Sequence, residues 1–408
     1  MPQSYDLIIV GAGLVGGALA CALGEQVSNT RINIALVDAQ PLHTDPPVYD
    51  GSINDFDPRV SALTIASQEL LKKIAVWDLM VEGRISPYNN MHVWDAEGTG
   101  EIHFDAKDIN QSALGYIVEN KNTLLALAKR IQQQKNIQVI APAKVVALKD
   151  EEKLKTLVLE DGTELMAPLI VAADGANSPV RTMANFETRE WNYNHQAIVC
   201  TVEIENSHQQ TAWQRFLPEG PLAFLPLSMS EKNEDKNFCS IVWSAVPSYA
   251  ENLMALSEAD FNHALGRAFE NKLGDVKATS KRFSFPLRQR HAVDYVKSGL
   301  VLIGDAAHSI HPLAGQGVNL GLLDVQVLAE EILRAEQRQL NLGDLHVLQR
   351  YQRRRKGDNL AMMAAMDGFK KLFEEPALPI RWLRNTGMSF LDRQSTLKHS
   401  IMRKAMGL

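Results

Sequence analysis

Between Leu300 and Gly321 the chain reads LVLIGDAAHSIHPLAGQGVNLG. The pattern predicts a buried strand over residues 300–303 that ends in Gly304-Asp305. A small-residue turn then passes through Pro312, Gly315, Gln316, Gly317, Val318 and Asn319 into a helix that runs beyond Asp324. A carboxylate at the C-terminal end of a strand can accept hydrogen bonds from sugar hydroxyls. Free N–H groups at a neighbouring helix start carry positive potential that stabilises an anion. Such an arrangement suits a ligand with a sugar chain and an electron-accepting ring.

Two further stretches offer the same kind of chemistry. Tyr5 to Val10 is too apolar to have a solvated face, so it reads as a short buried parallel strand. Gly11-Ala12-Gly13-Leu14-Val15-Gly16 follows, then a helical segment, then a second apolar strand over residues 32–37 ending in Asp38, 22 residues after Gly16. This is a strand, GxGxxG turn, helix, strand and acid in dinucleotide-binding order. Gly11 permits the tight turn, Gly13 lets a pyrophosphate approach the backbone, and Gly16 lets helix and strand close up. Asp38 can accept ribose hydroxyls. By itself the unit does not separate NAD from FAD. The second stretch is Asp174-Gly175, at the end of an apolar strand over residues 169–172, followed by Ser178 and Arg181 on a helical turn. It offers another place for a dinucleotide backbone to lie, though any strand-to-helix connection can look the same. Taken with the 304–321 stretch, the three signals point to FAD.

The elements between these turns must bring them together. Residues 40–58 are rich in Pro, Asp and Gly, hence a loop, and they deliver Arg59 to the start of an expected helix, RVSALTIASQELLKKIAVW. A guanidinium there could meet a pyrophosphate in bidentate fashion, or simply close a loop by an ion pair. Residues 137–171 read as strand pairs. From 187 to 286 the pattern changes to alternating strands interrupted by a helix near 258–269. A sheet there could shape a substrate pocket, with Trp213, Phe216, Phe224, Leu225, Pro226 and Trp243 as candidate walls, although such side chains more often fill cores. The expected fold class is therefore α/β: an FAD-binding Rossmann-like (GxGxxG) domain, a mixed β-sheet substrate domain and a helical C-terminal segment. The divisions expected are 1–90, 106–185 and 287–344 for the discontinuous FAD domain, 91–105 and 186–286 for the sheet, and 345–408 for the helices.

Composition bounds the rest. The 408 residues are 45% hydrophobic and 22% charged with net charge -6, which gives no reason to expect a nucleic-acid partner. The charge is uneven: residues 350–408 hold 13 Lys and Arg against 5 Asp and Glu. A basic segment of this kind suits an anionic membrane surface or an acidic partner, and equally a solvated helical face. Three dispersed cysteines (Cys21, Cys200, Cys239) form neither a disulfide framework nor a metal motif, as in a reducing cytoplasm. The uncharged run 7–24 follows Asp6, has no basic flank and carries the glycine spacing, so neither a signal peptide nor a membrane span is expected.

GAGLVG (11–16), ADGANSPVR (173–181) and GDAAHSIHPLAGQGVNLG (304–321), in this order and spacing, resemble the class A flavoprotein aromatic monooxygenases. The last motif, with RVSALTIAS (59–67), GPLAFLPL (220–227) and the terminal KAMGL, resembles more narrowly the ubiquinone-biosynthesis flavin hydroxylases. FCSIVWS, FNHALGRAFENKLG and MDGFKKLF look most like the branch that hydroxylates a 2-polyprenylphenol at ring carbon 5, beside siblings acting at carbons 1 and 6. The resemblance implies Gly11, Gly13 and Gly16 on the FAD pyrophosphate, Asp38 on the adenosine ribose, and Arg59 near the phosphates. It places Asp174 and Gly175 beside FAD and the path of the nicotinamide donor. Gly304 and Asp305 fall near the ribitol and phosphate side, and the loop of Pro312, Gly315, Gly317, Val318 and Asn319 lies against the isoalloxazine.

It also implies the reaction: NADH or NADPH reduces FAD, O2 forms a flavin C4a-hydroperoxide, and an electron-rich phenol ring takes one oxygen atom. The protein must orient the ring and exclude water. No catalytic residue stands out and no metal is required; His308 and His311 read as structural. A polyprenylated phenol is the expected substrate. The expected setting is the cytoplasm, with contact to the inner membrane or a ubiquinone-biosynthesis complex through the basic C-terminal helices. A flavin dehydrogenase or oxidase, and a flavin-bound assembly subunit, remain as alternatives.

Overall fold

The computed structural model describes residues 2–151, 153–229, 235–309, 316–374 and 378–408. At its centre Leu7–Val10, Ile34–Val37, Ile137–Ile140, Ile170–Ala172 and Leu300–Leu302 lie in one six-stranded sheet, with Val296–Lys297 as an antiparallel edge. The five longer-range neighbours pair in parallel. Leu7, Ile8, Ile9, Ile34, Leu36 and Ile170 have no exposed surface, because the sheet is packed into one core with helices such as Leu14–Ala22 and with the four-stranded sheet that supplies Leu157, Leu159 and Leu165. Burying each such side chain contributes about 1.5–3 kcal/mol, and the uninterrupted apolar runs follow from that two-sided burial. Leu7–Val10 is flanked by Ile34–Val37 on one side and Ile170–Ala172 on the other, and Leu300–Leu302 comes next. The turns after three of these strands therefore emerge side by side at the carboxyl edge.

A second, nine-stranded sheet runs from His308–Ser309 through Phe283–Ala292, Thr188–Ile204, Phe238–Ala245, Gly220–Leu227 and Thr211–Leu217 to Asn90–Asp95 and Glu101–Asp105. Here the side chains alternate between two environments. One face packs into a second core with Phe261 and Leu265 of the helix Glu258–Ala268 and with Phe269, which follows it; the other faces back toward the first sheet's carboxyl edge. Three helices end the chain: Leu345–Glu374, Leu378–Arg393 and Ser395–Met406.

Arg59 does not begin a helix. Val60–Thr64 is a strand, antiparallel to Gly115–Glu119, and the helix starts only at Ile65, where the Thr64 hydroxyl accepts the Ser67 N–H. Val60 and Thr64 are β-branched, and Thr64 caps the helix that follows, so the apolar run divides between two elements. The stretch 137–148 likewise splits: Ile137–Ile140 joins the central sheet and Val145–Asp150 a separate four-stranded one. A helix at Pro247–Ala255, with proline in its first turn, had no clear signal in the sequence.

The basic charge of the last segment is largely engaged internally. Arg354 pairs with Glu330 and Glu331, Lys356 with Asp294, Arg381 with Glu97, and Arg384 with the buried Asp95. Arg355 also reaches inward. Its Nε donates to Asp324 at 2.9 Å, and the other oxygen of Asp324 meets His308 Nε2 at 2.5 Å and the Gly304 N–H at 3.0 Å. Asp324 has no exposed surface. Burial pushes its carboxyl up, but His308 and Arg355 outweigh burial and hold it below the ordinary aspartate range. Stability from this carboxylate is present above the unfolded-state pKa and is lost as pH falls through the lower folded value. Asp324→Asn leaves the buried Arg355 with only the exposed Asp358, at 3.4 Å, as counter-charge and should cost about 3 kcal/mol. Urea unfolding at pH 7 measures the loss, and the gap from the parent should narrow as the pH is lowered through the carboxylate range.

Candidate functional site

The three motif turns meet pairwise. Gly11 adopts φ +101°, and a Cβ there would lie 2.4 Å from the Ala173 carbonyl oxygen, so the first turn abuts the second. Val15, in the opening turn of the first helix, packs against the third: a Cβ on Gly304 or Gly321 would come within 3.0 Å or 2.5 Å of its methyl carbon. Arg181 joins the second to the third. Its buried guanidinium donates to the Ala176 carbonyl at 2.7 Å and to the Ala306 carbonyl at 2.9 Å.

The surface these turns create fits a dinucleotide. The helix Leu14–Ala22 begins at Gly13 with no side-chain cap and no acid in its first turn, so its leading N–H groups face outward. A Cβ on Gly13, Gly175 or Gly317 would meet nothing within 4 Å, which leaves open space beside all three turns. Arg59 is exposed at the rim, and its guanidinium has no ion-pair partner among the described residues. Asp174 accepts the Val180 N–H through one oxygen, while its other oxygen is buried without a partner. Desolvation accordingly raises its carboxyl above the ordinary range. Asp38 accepts the Ala12 N–H at 2.6 Å and the Gln40 N–H at 2.7 Å, and each oxygen keeps a lone pair for a ribose hydroxyl. These groups fit FAD. When bound, FAD supplies hydride acceptance and oxygen activation.

The Asn319 side chain has a structural task. Its amide oxygen accepts from the Thr64 N–H and the Ser67 hydroxyl, and its amide nitrogen donates to the Ala62 carbonyl. That side chain ties the helix Gln316–Gln337 to the strand Val60–Thr64. Pro312, Gly315 and His311 lie outside the described residues. His308 is buried against Asp324, away from any reacting ring.

A cavity of about 580 Å³ opens from the convergence point, bordered by Asp305, Ser309, Gly317 and Val318 at one end. Its roof is the inner face of the nine-stranded sheet. Cross-strand register sets Val199 opposite Val242, Val242 opposite Ala223 and Ala223 opposite Gln214, and all four border the cavity. Period two therefore turns Phe224, Pro226 and Trp243 the other way, a correction to their reading as walls. Phe224 and Trp243 fill the second core, and Pro226 is buried with their parity. Phe216 stacks on Phe373 instead. Leu225 borders the cavity, as does Trp213, although the Trp213 indole lies edge-on to Trp94 and donates to the His208 carbonyl. Sequence reading could not separate the two faces because both are apolar.

Polar groups on the walls are few. Ser244 borders the cavity with a buried hydroxyl that has no partner. Burial pushes the Tyr88 phenol up to about 12, so it stays neutral. Asp305 opens to the cavity while surrounding protein desolvates it; its carboxyl is raised above the usual range, an effect His308 partly offsets. The far wall was missed altogether: Ile401, Met402, Ala405 and Met406 of the last helix border the cavity. The two methionines at four-residue spacing were the available signal.

A raised carboxyl pKa means that the folded protein disfavours the charged form. Because Asp305 is also exposed at the cavity, Asp305→Asn should leave the melting temperature of the FAD-free protein at pH 7 equal or slightly higher and at the same time weaken FAD retention. A lower melting temperature together with undiminished flavin absorbance would remove Asp305 from the site.

A family model described as "FAD binding domain" matches residues 4–365. The 3-demethoxyubiquinol 3-hydroxylase of Escherichia coli (strain K12) is 36% identical over 406 residues, spanning 100% of this chain and 99% of that protein. The ubiquinone hydroxylase UbiL of Rhodospirillum rubrum is 37% identical, spanning 98% and 89%, and the mitochondrial ubiquinone biosynthesis monooxygenase COQ6 of Xenopus tropicalis 34%, spanning 98% and 93%. Among solved structures, p-nitrophenol 4-monooxygenase PnpA from Pseudomonas putida superposes with a TM-score of 0.77 at 17% identity, covering 100% of this chain and 97% of that one, a likeness of fold.

Proposed function

Because the chain belongs to the FAD binding domain family, with ubiquinone-pathway hydroxylases as its full-length relatives, we propose that it hydroxylates the ring of a polyprenylated phenol. It is an FAD-dependent aromatic-ring monooxygenase, a class that uses NADH or NADPH and O2 as co-substrates. The observation that carries the substrate reading is the cavity. It begins beside Asp305 and Gly317, where the three turns converge, and continues between walls that are mostly apolar.

The chain's own contributions follow from the geometry. The free N–H groups at Gly13 and the Arg59 guanidinium hold diphosphate charge. Val199, Val242 and Ala223 present a flat apolar face that orients an aromatic ring and keeps water out. Ser244 borders the cavity, and its hydroxyl, buried and unpartnered, can reach the phenol oxygen by rotating about χ1. No acid–base pair faces that position among the described residues, so ring activation rests on positioning and on the cofactor.

We place the new oxygen at ring carbon 5; the full-length likeness to the E. coli enzyme favours, as a second reading, the 3-position of a demethoxyubiquinol. The exposed Trp382 and Phe390, 70% and 58% accessible, together with Arg393, Arg403 and Lys404 support peripheral contact with an anionic membrane, or a place in a ubiquinone-biosynthesis complex. Among the described residues no helix is long and apolar enough to cross a membrane.

Turnover of 2-polyprenylphenol and demethoxyubiquinol under 18O2, with mass spectrometry of the products, tests oxygen insertion and ring position together. One 18O atom per hydroxylated product is expected; NAD(P)H consumption that yields only peroxide would overturn the reading. Ser244→Ala should lower kcat/KM about two- to tenfold, the worth of one neutral hydrogen bond, without changing flavin content.

A further inference from the structure

The cavity has two chemically different ends. Asp305, Ser309 and Gly317 mark the end at the nucleotide turns, whereas Met91, Phe104 and Leu114 mark the other. About 580 Å³ is the size of an ordinary small-molecule site and must accommodate a flavin ring edge and a phenol together. A polyprenyl tail therefore has to leave it, and only the apolar end receives such a chain without desolvating polar groups.

That end is closed by the helix Ser395–Met406, which presents two adjacent ridges. Met402 and Met406, each 4% exposed, seat the helix against Ile65, Ile109 and Leu114. Lys398 fixes its first turn, donating to the His103 carbonyl and lying 3.6 Å from Asp108 and from Asp392. The helix is thus a fixed wall. Its second ridge is Leu397, Ile401 and Ala405, at four-residue spacing and so on one line along the helix. Ile401 and Ala405 border the cavity, and Ile401 keeps 41% of its surface accessible. Leu397, at 50%, continues the ridge outside.

We propose that the ridge of Leu397, Ile401 and Ala405 is the track along which the polyprenyl tail of the substrate passes from the cavity to the protein surface. This rests on the polyprenylated phenol proposed above and assigns it a path. A phenol's tail, and not its ring, meets the last helix; substitutions on the ridge act on tail length selectivity.

The test compares 2-farnesylphenol with o-cresol, which keeps the ring and lacks the tail. Ile401→Trp and Ala405→Trp place bulk at exposed positions, and the ratio of kcat/KM for 2-farnesylphenol over o-cresol should fall at least tenfold in each. An unchanged ratio overturns the track. Independently of turnover, Ala405→Cys offers one accessible thiol, since Cys21, Cys200 and Cys239 are buried. 2-Farnesylphenol should slow its alkylation by maleimide at least fivefold while o-cresol does not. Equal rates with both ligands overturn the track even if hydroxylation is confirmed. Protection by 2-farnesylphenol in a protein that hydroxylates neither phenol would uphold the track and sink the proposed reaction.

Discussion

The fold depends on how closely three strand ends can approach one another. The Gly11 α-carbon faces the Ala173 carbonyl at a separation that admits no side-chain carbon, and Val15 fills the gap left by two further glycines, Gly304 and Gly321. Parallel strands bring the turns to one edge, but the absence of β-carbons brings them into contact. Any residue other than glycine at these points would force apart turns that a single dinucleotide must span.

Much of this was legible in the sequence, and the reasons differ by element. The strands at 7–10, 170–172 and 300–302 announced themselves by unbroken apolar runs, because both faces of a covered sheet must be apolar. The glycine turns were legible because their spacing is dictated by ligand and packing together. The Arg59 segment misled because Val60–Thr64 and the helix after it share one apolar stretch, and only the Thr64 cap marks the division. Asn319 was legible only in part. A polar residue inside a glycine-rich motif looks like a ligand contact, yet here it satisfies the backbone of a neighbouring strand.

The pocket walls were the least legible part. In a sheet with a core on one side and a cavity on the other, both parities are apolar, so alternation cannot say which is which. Phe224 and Trp243, the larger side chains, went to the packed side, where their area contributes to stability. The cavity kept Val199, Ala223 and Val242. Charge count alone was similarly ambiguous. The surplus of Lys and Arg near the C-terminus is divided: Arg354, Arg355, Lys356, Arg381 and Arg384 reach back to acids elsewhere in the chain, while Arg393, Arg403 and Lys404 are exposed.

The long helix Leu345–Glu374 supplies Arg355 to Asp324 and the Tyr351 hydroxyl to the Leu302 carbonyl, directly behind the third turn. During synthesis the first glycine turn leaves the ribosome hundreds of residues before that helix does. Until it arrives, the carboxylate behind Gly304 lacks its guanidinium and the strand before it lacks its hydroxyl donor. Because the third turn and the helix behind it both lie in the last third of the chain, the cleft formed by the three turns is completed only late in synthesis.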